Sequence, residues 1–172
     1  KNADFVVGIP DSGVPLGTGY ATGLKISYKQ YILRDHYDSN GSSRLFMGDK
    51  NMNTIEERTL GKLSVIADRR LWKGKVVVLA DDSIVRGKTT RKVIESIFEY
   101  GAKEVHVAPG FPRVMLPCHL GVSMRTENEL IANRNNGDEK AIAKEIGATS
   151  VNYISNEGFI KARLGSKDLY IP

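Results

Sequence analysis

Short apolar runs bounded by turn residues alternate along the chain with stretches whose apolar positions recur at helical spacing. That alternation is the signature of a parallel sheet with crossover helices, so the expected fold class is α/β. Residues 76–80, Val-Val-Val-Leu-Ala, are the least ambiguous strand, because an unbroken β-branched run suits burial on both faces. A first strand is expected over 5–9, a loop over 10–13, and a helix over 15–22 with Pro15 in its first turn and Gly23 at its end. A second strand is expected over 28–33. Residues 89–100 place Val93, Ile94, Ile97 and Phe98 on one helical face, with Gly101 as the stop, and 104–108 follow as a strand. Beyond Pro117 the pattern predicts a strand near 120–123, helices near 127–132 and 138–146, a strand over 150–154 and a helix over 157–164. These pieces are too small for a second domain. They are expected to form a hood over one end of the main sheet, making a single domain with a core over about 1–116 and a hood over about 117–172.

Between the second strand and the run at 76–80 lies a long connection, residues 34–75, containing Ser39-Asn40-Gly41-Ser42-Ser43. Connections of this length inside a compact domain are functional lids or disordered segments. Arg34, Arg44, Lys50, Arg58, Lys62, Arg69, Arg70, Lys73 and Lys75 favour a lid over an anion.

Composition narrows the class. A chain of 172 residues is one domain by default, and no apolar stretch approaches the ~20 residues that cross a bilayer, so a soluble protein is expected. Cys118 is the single cysteine; it forms no intrachain disulfide and no paired-cysteine zinc site, which suits a reducing, cytoplasmic setting. Lys and Arg number 25 against 20 Asp and Glu, a net charge of +5. That excess suits a nucleic-acid surface or a polyanionic small substrate. The chain opens on Lys1 with a strand expected from Phe5, which suggests a piece of a longer protein.

The candidate chemistry lies at the end of the central strand. Asp81 and Asp82 follow the apolar run, and Ser83, Ile84, Val85, Arg86, Gly87, Lys88, Thr89 and Thr90 lead into a helix. The carboxyl end of a strand is where open α/β sheets bind ligands. Loop amides, a helix N-terminus and the hydroxyls of Ser83, Thr89 and Thr90 offer donors to a phosphate. Two carboxylates would repel a bare phosphate, so the ligand should carry hydroxyls or a magnesium ion beside it. Gly87-Lys88-Thr89 is not a P-loop, because Asp82 stands where that motif requires glycine. Gly17, Gly19 and Gly23 are spaced one residue too widely for a dinucleotide fingerprint. The Asp11-Ser12-Gly13 loop, read alone, is either a simple turn or a second anion-binding loop.

The strand, paired acids and hydroxyl-glycine loop resemble the 5-phosphoribosyl-1-pyrophosphate motif of type I phosphoribosyltransferases. More narrowly, Asp81-Asp82-Ser83-Ile84-Val85-Arg86-Gly87 with Gly101-Ala102-Lys103-Glu104-Val105-His106-Val107 is similar to the synthetase domain of the glutamine phosphoribosylpyrophosphate amidotransferases. The resemblance spans about 5–165 and includes Ile9-Pro10-Asp11-Ser12-Gly13-Val14-Pro15, Pro117-Cys118, Glu129-Leu130-Ile131-Ala132 and Ser155-Asn156-Glu157-Gly158. It implies the type I phosphoribosyltransferase fold and transfer of the phosphoribosyl group to ammonia, giving 5-phosphoribosylamine and pyrophosphate, the first step of purine synthesis. In that resemblance Asp81 and Asp82 hold the ribose hydroxyls and, with Ser12, the magnesium ion. Residues 83–90 cradle the 5-phosphate, Asp11-Ser12-Gly13 binds pyrophosphate through backbone amides, and Arg44 and Lys62 are the catalytic lid cations. It also implies a glutaminase domain in the full-length protein and a homo-oligomer.

The lid and hood depart from that family. His36-Tyr37 stands for an Arg-Tyr pair, a longer run leads to Arg44-Leu45-Phe46, and Lys62 is further from Arg69 than usual. Phe111-Pro112-Arg113 and Gly121-Val122-Ser123 replace the usual hood residues, and Lys88 stands where threonine is frequent. Cys118 aligns with an iron-sulfur ligand of some members, but the other ligands are absent and no cluster is expected. His36, His106 and His119 are expected to be structural or solvated, and Trp72 to pack the base of the lid. The alternatives are a nucleobase phosphoribosyltransferase, for which Phe111 is the candidate stacking residue, and a non-catalytic regulator that binds the donor and contacts nucleic acid. No aromatic-interleaved basic face supports nucleic acid as a partner, and none of the apolar segments suits a membrane.

Overall fold

The computed structural model describes residues 3–35, 62–117 and 126–162. Five parallel strands build the main sheet: β1 (Phe5–Gly8), β2 (Ser27–Tyr28), β5 (Val76–Asp81), β6 (Glu104–Pro109) and β7 (Ser150–Val151), in the order β2-β1-β5-β6-β7. A separate antiparallel pair joins β3 (Ile32–Arg34) to β4 (Leu63–Val65). The helices are α1 (Gly13–Leu24), α2 (Arg69–Trp72), α3 (Lys88–Glu99), α4 (Ile131–Arg134), α5 (Glu139–Ile146) and α6 (Asn156–Ala162), with a 3-10 turn at Glu127–Glu129. The α/β expectation is met, with the run at 76–80 as the central strand.

Strand alternation divides the core between the two faces of the sheet. Phe5, Val7, Val77, Leu79, Val105, Val107 and Val151 pack with Val93, Ile94 and Ile97 of α3 and Ile142, Ala143 and Ile146 of α5. Val6, Val78, Ala80 and Ala108 face the other way, against Ala21, Leu16 and Tyr20 of α1. The helical face read from the sequence of 89–100 is therefore the buried one, and Gly101 ends it with φ +97°. Trp72 is fully buried, donates its Nε1 hydrogen to the Ile66 carbonyl at 2.8 Å, and packs with Phe5 and Tyr31 at 5.9 and 5.5 Å. It braces the base of the 34–75 connection, as expected. Among the described residues no helix is long and apolar enough to cross a membrane.

Four expectations need correction. The helix expected to end at Gly23 runs through it to Leu24, and Lys25 takes the left-handed closing position with φ +55°. The strand expected over 28–33 is two strands in two sheets: Ser27–Tyr28 pairs with β1, whereas Ile32–Arg34 pairs with β4. Polar Lys29 and Gln30 separate them, and Ile32 must leave the main sheet to be buried beside Trp72. The helix expected over 127–132 is broken at Leu130, which adopts φ −81°, ψ 118°. That extended residue buries its own side chain and frees the Ile131 amide to donate to the Val85 carbonyl at 2.8 Å. Finally, the C-terminal segment does more than cover one end of the sheet, because Ser150–Val151 joins β6 as its edge strand and α5 enters the main core. The strand expected near 120–123 lies outside the described residues.

Candidate active site

The strand order places the site. From β1 the chain moves outward to β2, then crosses back past β1 to β5, β6 and β7. The connections leaving β1 and β5 therefore run in opposite directions. They open a crevice at the carboxyl ends of those two strands, the position at which open α/β sheets receive ligands. A cleft of about 260 Å³ lies there.

Its first wall is the loop from β1 to α1, which contributes Ile9, Pro10, Asp11 and Ser12. The Ile9 amide donates to the Ala80 carbonyl at 2.9 Å, tying this loop to the neighbouring strand. Two glycines permit the approach: a Cβ on Gly8 would lie 2.2 Å from the Gly13 carbonyl oxygen, and one on Gly13 would lie 2.7 Å from the Ala80 carbonyl oxygen. Gly13 thus begins α1 against the sheet, while Ser12 makes no capping hydrogen bond and its side chain lines the cleft.

The second wall is the loop from β5 to α3. Asp81, Asp82, Ser83, Val85, Arg86, Gly87, Lys88, Thr89 and Thr90 all line the cleft. Asp81 is only 7% exposed, and its Oδ1 accepts the Asp82 amide hydrogen at 2.9 Å. Burial first, and the adjacent Asp82 carboxylate second, push the Asp81 carboxyl well above the usual carboxylate range. Asp82 accepts the Ser83 amide hydrogen at 2.8 Å. The helix α3 opens at Gly87, whose φ of +81° suits glycine, and its first-turn residues Lys88, Thr89 and Thr90 line the cleft.

The structure brings some of the expected site residues together and leaves others apart. Asp11, Ser12 and the acid-bearing loop converge as anticipated, but Ile84 points into the core and is 2% exposed, so its side chain is no cleft contact. A loop alternating between cleft and core needs one apolar anchor, and Ile84 is that anchor. Lys62 is exposed at the start of β4 and does not line the cleft, although its neighbour Leu63 does. Arg44, His36, Cys118 and His119 lie outside the described residues. Phe111 does not line the cleft either; it packs edge-on against Phe159 at 4.9 Å. The aromatic on which a nucleobase reading depended is therefore engaged elsewhere.

Arg34 lines the cleft and pairs with Asp11 at 3.0 Å. Its charge groups it with the other cations of the long connection, and nothing beside it in the sequence marks it as a site residue. Its position depends on the β3–β4 pair, whose partner strands are separated by the long connection. No local signal announces that contact.

Two carboxylates and a hydroxyl, Asp81, Asp82 and Ser12, are a hard-oxygen set of the kind magnesium uses together with substrate phosphates and water. Among the described residues no group of three or more His, Cys, Asp and Glu forms an all-protein metal cage. The donor set fits a cation that arrives with a phosphorylated ligand.

A family model described as a phosphoribosyl transferase domain matches residues 1–109. The amidophosphoribosyltransferase of Methanocaldococcus jannaschii is 40% identical over 169 residues, covering 98% of this chain and 34% of the relative. The human protein of the same name is 36% identical over 161 residues, covering 94% of this chain and 29% of its own length. The chain thus spans about a third of the curated relatives it matches. Among solved structures, the glutamine phosphoribosylpyrophosphate amidotransferase of B. subtilis, complexed with ADP and GMP, superposes with a TM-score of 0.73 at 35% identity. It covers 94% of this chain and 33% of the other. The strand-loop-helix units that build the cleft fall within the matched 109 residues, and the chain belongs to the phosphoribosyl transferase domain family.

Proposed function

We propose that this chain transfers the 5-phosphoribosyl group of 5-phosphoribosyl-1-pyrophosphate to ammonia, giving 5-phosphoribosylamine and pyrophosphate, as the synthetase part of an amidophosphoribosyltransferase. The observation that carries the reading is the convergence of the Asp11-Ser12 loop and the Asp81-Asp82 loop on one cleft at the switch point of the sheet. The similarity to amidophosphoribosyltransferases along nearly the whole chain supports it.

Each part of the donor has a partner in this arrangement. The amides at the start of α3, with Ser83, Thr89 and Thr90, receive the 5-phosphate. Asp81 and Asp82 accept from the ribose hydroxyls, so a sugar carrying vicinal hydroxyls is preferred over a bare phosphate. The loop at Asp11, Ser12 and Gly13 receives the pyrophosphate, with Arg34 beside it. Asp81, Asp82 and Ser12 would hold a magnesium ion together with the donor, and that ion would neutralise charge on the pyrophosphate. The nitrogen lone pair forms a bond to the anomeric carbon while the bond from that carbon to the pyrophosphate oxygen breaks. Pyrophosphate leaves with the electron pair, and the surplus nitrogen proton passes to solvent. Positive charge grows on the ribose and is tolerated beside carboxylates, while Arg34, which lines the cleft, faces the charge of the leaving group.

On this reading the chain works in the cytoplasm as a subunit of a homo-oligomer, with a glutamine-hydrolysing domain as the source of ammonia. The test is pyrophosphate release by the purified chain given magnesium and the donor, with ammonium, glutamine or a nucleobase panel. Release with ammonium is expected. Release with a nucleobase alone would move the chain to salvage, and donor binding without any release would make it a regulator.

A further inference from the structure

The loop from β5 to α3 is fastened from outside by the segment around α4. The Ile131 amide donates to the Val85 carbonyl at 2.8 Å. Arg86, which lines the cleft, pairs with Glu129 at 2.6 Å. Gly87 is packed so closely that a Cβ would lie 2.7 Å from Ile131 Cδ1. At the centre of this fastening is Arg134. Its Nη2 donates to the Arg86 carbonyl at 3.0 Å, its Nη1 to the Glu129 carbonyl at 2.9 Å, and its Nε to the Glu145 carboxylate at 2.9 Å. One guanidinium therefore links the loop, the 3-10 turn and α5. A lysine ammonium, lacking the planar fork, cannot reproduce that three-way bridge.

The acceptor on α5 is itself prepared. Burial raises the Glu145 carboxyl, but hydrogen bonds from Arg134 and Asn135 more than offset it and hold the group below the usual range. The Arg134 side chain is 33% exposed and belongs to neither core cluster, so removing it opens no core cavity. Its contacts are directed at a backbone carbonyl of the loop, two residues before the first turn of α3. That is where a positional error would misalign the amides offered to a phosphate.

We propose that Arg134 is a positioning residue for the phosphate loop, holding residues 83–87 in the form that receives the 5-phosphate through its bridge to the Arg86 carbonyl. The inference rests on the donor-binding reading above, and its consequence is selective. Ligands that engage the 5-phosphate end lose affinity without Arg134, while ligands of the Asp11-Ser12-Gly13 loop do not.

The experiment titrates the chain and its Arg134→Ala and Arg134→Lys variants separately with ribose 5-phosphate and with pyrophosphate, in magnesium, by calorimetry. Arg134→Ala is expected to weaken ribose 5-phosphate about tenfold and to leave pyrophosphate within about twofold, with Arg134→Lys between it and the unaltered chain. Unchanged ribose 5-phosphate affinity in Arg134→Ala, or equal weakening of both ligands, overturns the inference. Should Arg134→Ala not fold, Glu145→Ala serves: a selective loss for ribose 5-phosphate supports the bridge, and no loss overturns it. If the unaltered chain binds neither ligand, the donor-binding reading fails and the inference falls with it. If it binds both and the variants match it, the inference fails alone.

Discussion

Gly8 shows how tightly single residues are bound to the site. Its missing side chain admits the Gly13 carbonyl, and Gly8→Ala would force a Cβ to 2.2 Å from that oxygen. Because the obstacle is backbone, the start of α1 must move. We expect Gly8→Ala to lower stability by roughly 2–3 kcal/mol in urea unfolding. Tyr153 makes the opposite case. Its hydroxyl is buried with no hydrogen-bond partner among the described residues, and Arg113 lies 5.5 Å over its ring. Burial pushes the phenol up to about 12. The unfolded phenol ionises near 10, so between about pH 10 and 12 the unfolded chain releases its proton first, and stability falls as pH rises through that window. Tyr153→Phe is expected to flatten that slope and to leave neutral-pH stability unchanged or about 1 kcal/mol higher. Alkaline melting curves of the two proteins check it. At this scale the acids were legible because they terminate an apolar strand, where polar residues need a reason. Arg34 was not, because its contact with Asp11 is made by folding across 23 residues.

Among the elements, α3 buries Val93, Ile94 and Ile97 and turns its opposite face to solvent. Ile94 is fully buried between the sheet and the α5 side of the core, whereas Lys92 on the same helix is exposed. Ile94→Ala should cost about 2–5 kcal/mol in chemical unfolding, and Lys92→Ala should fall within about 0.5 kcal/mol of the unaltered chain. The helical face at 93–98 and the strand at 76–80 were legible because one period dominates each. The strand over 28–33 was not, since apolar residues on both sides of Lys29-Gln30 look continuous until two different sheets compete for them. The break at Leu130 was hidden for a related reason. Glu127 to Ala132 has helical composition, but the amide of Ile131 is spent on the phosphate-loop side at Val85, and that demand comes from tertiary structure.

For the molecule as a whole, topology determines where chemistry can occur. A parallel sheet that reverses its winding between β1 and β5 leaves one crevice between diverging connections, and both candidate anion loops border it. The α/β class was legible from alternation alone, while the strand order, and with it the meeting of Asp11 with Asp81 and Asp82, needed the fold. A strand at 150–154 was legible, but its place as the edge of the main sheet was not, because pairing with β6 is a tertiary choice that no local pattern records. The central claim is that the paired acids of this crevice recognise the ribose of a phosphoribosyl donor. Its most direct test is calorimetric titration of 5-phosphoribosyl-1-pyrophosphate, with magnesium, into the chain and into its Asp81→Asn/Asp82→Asn variant, with folding of both checked by circular dichroism. The account predicts binding by the unaltered chain and a loss of at least about a hundredfold in the folded variant. Equal affinity in the two proteins would contradict it.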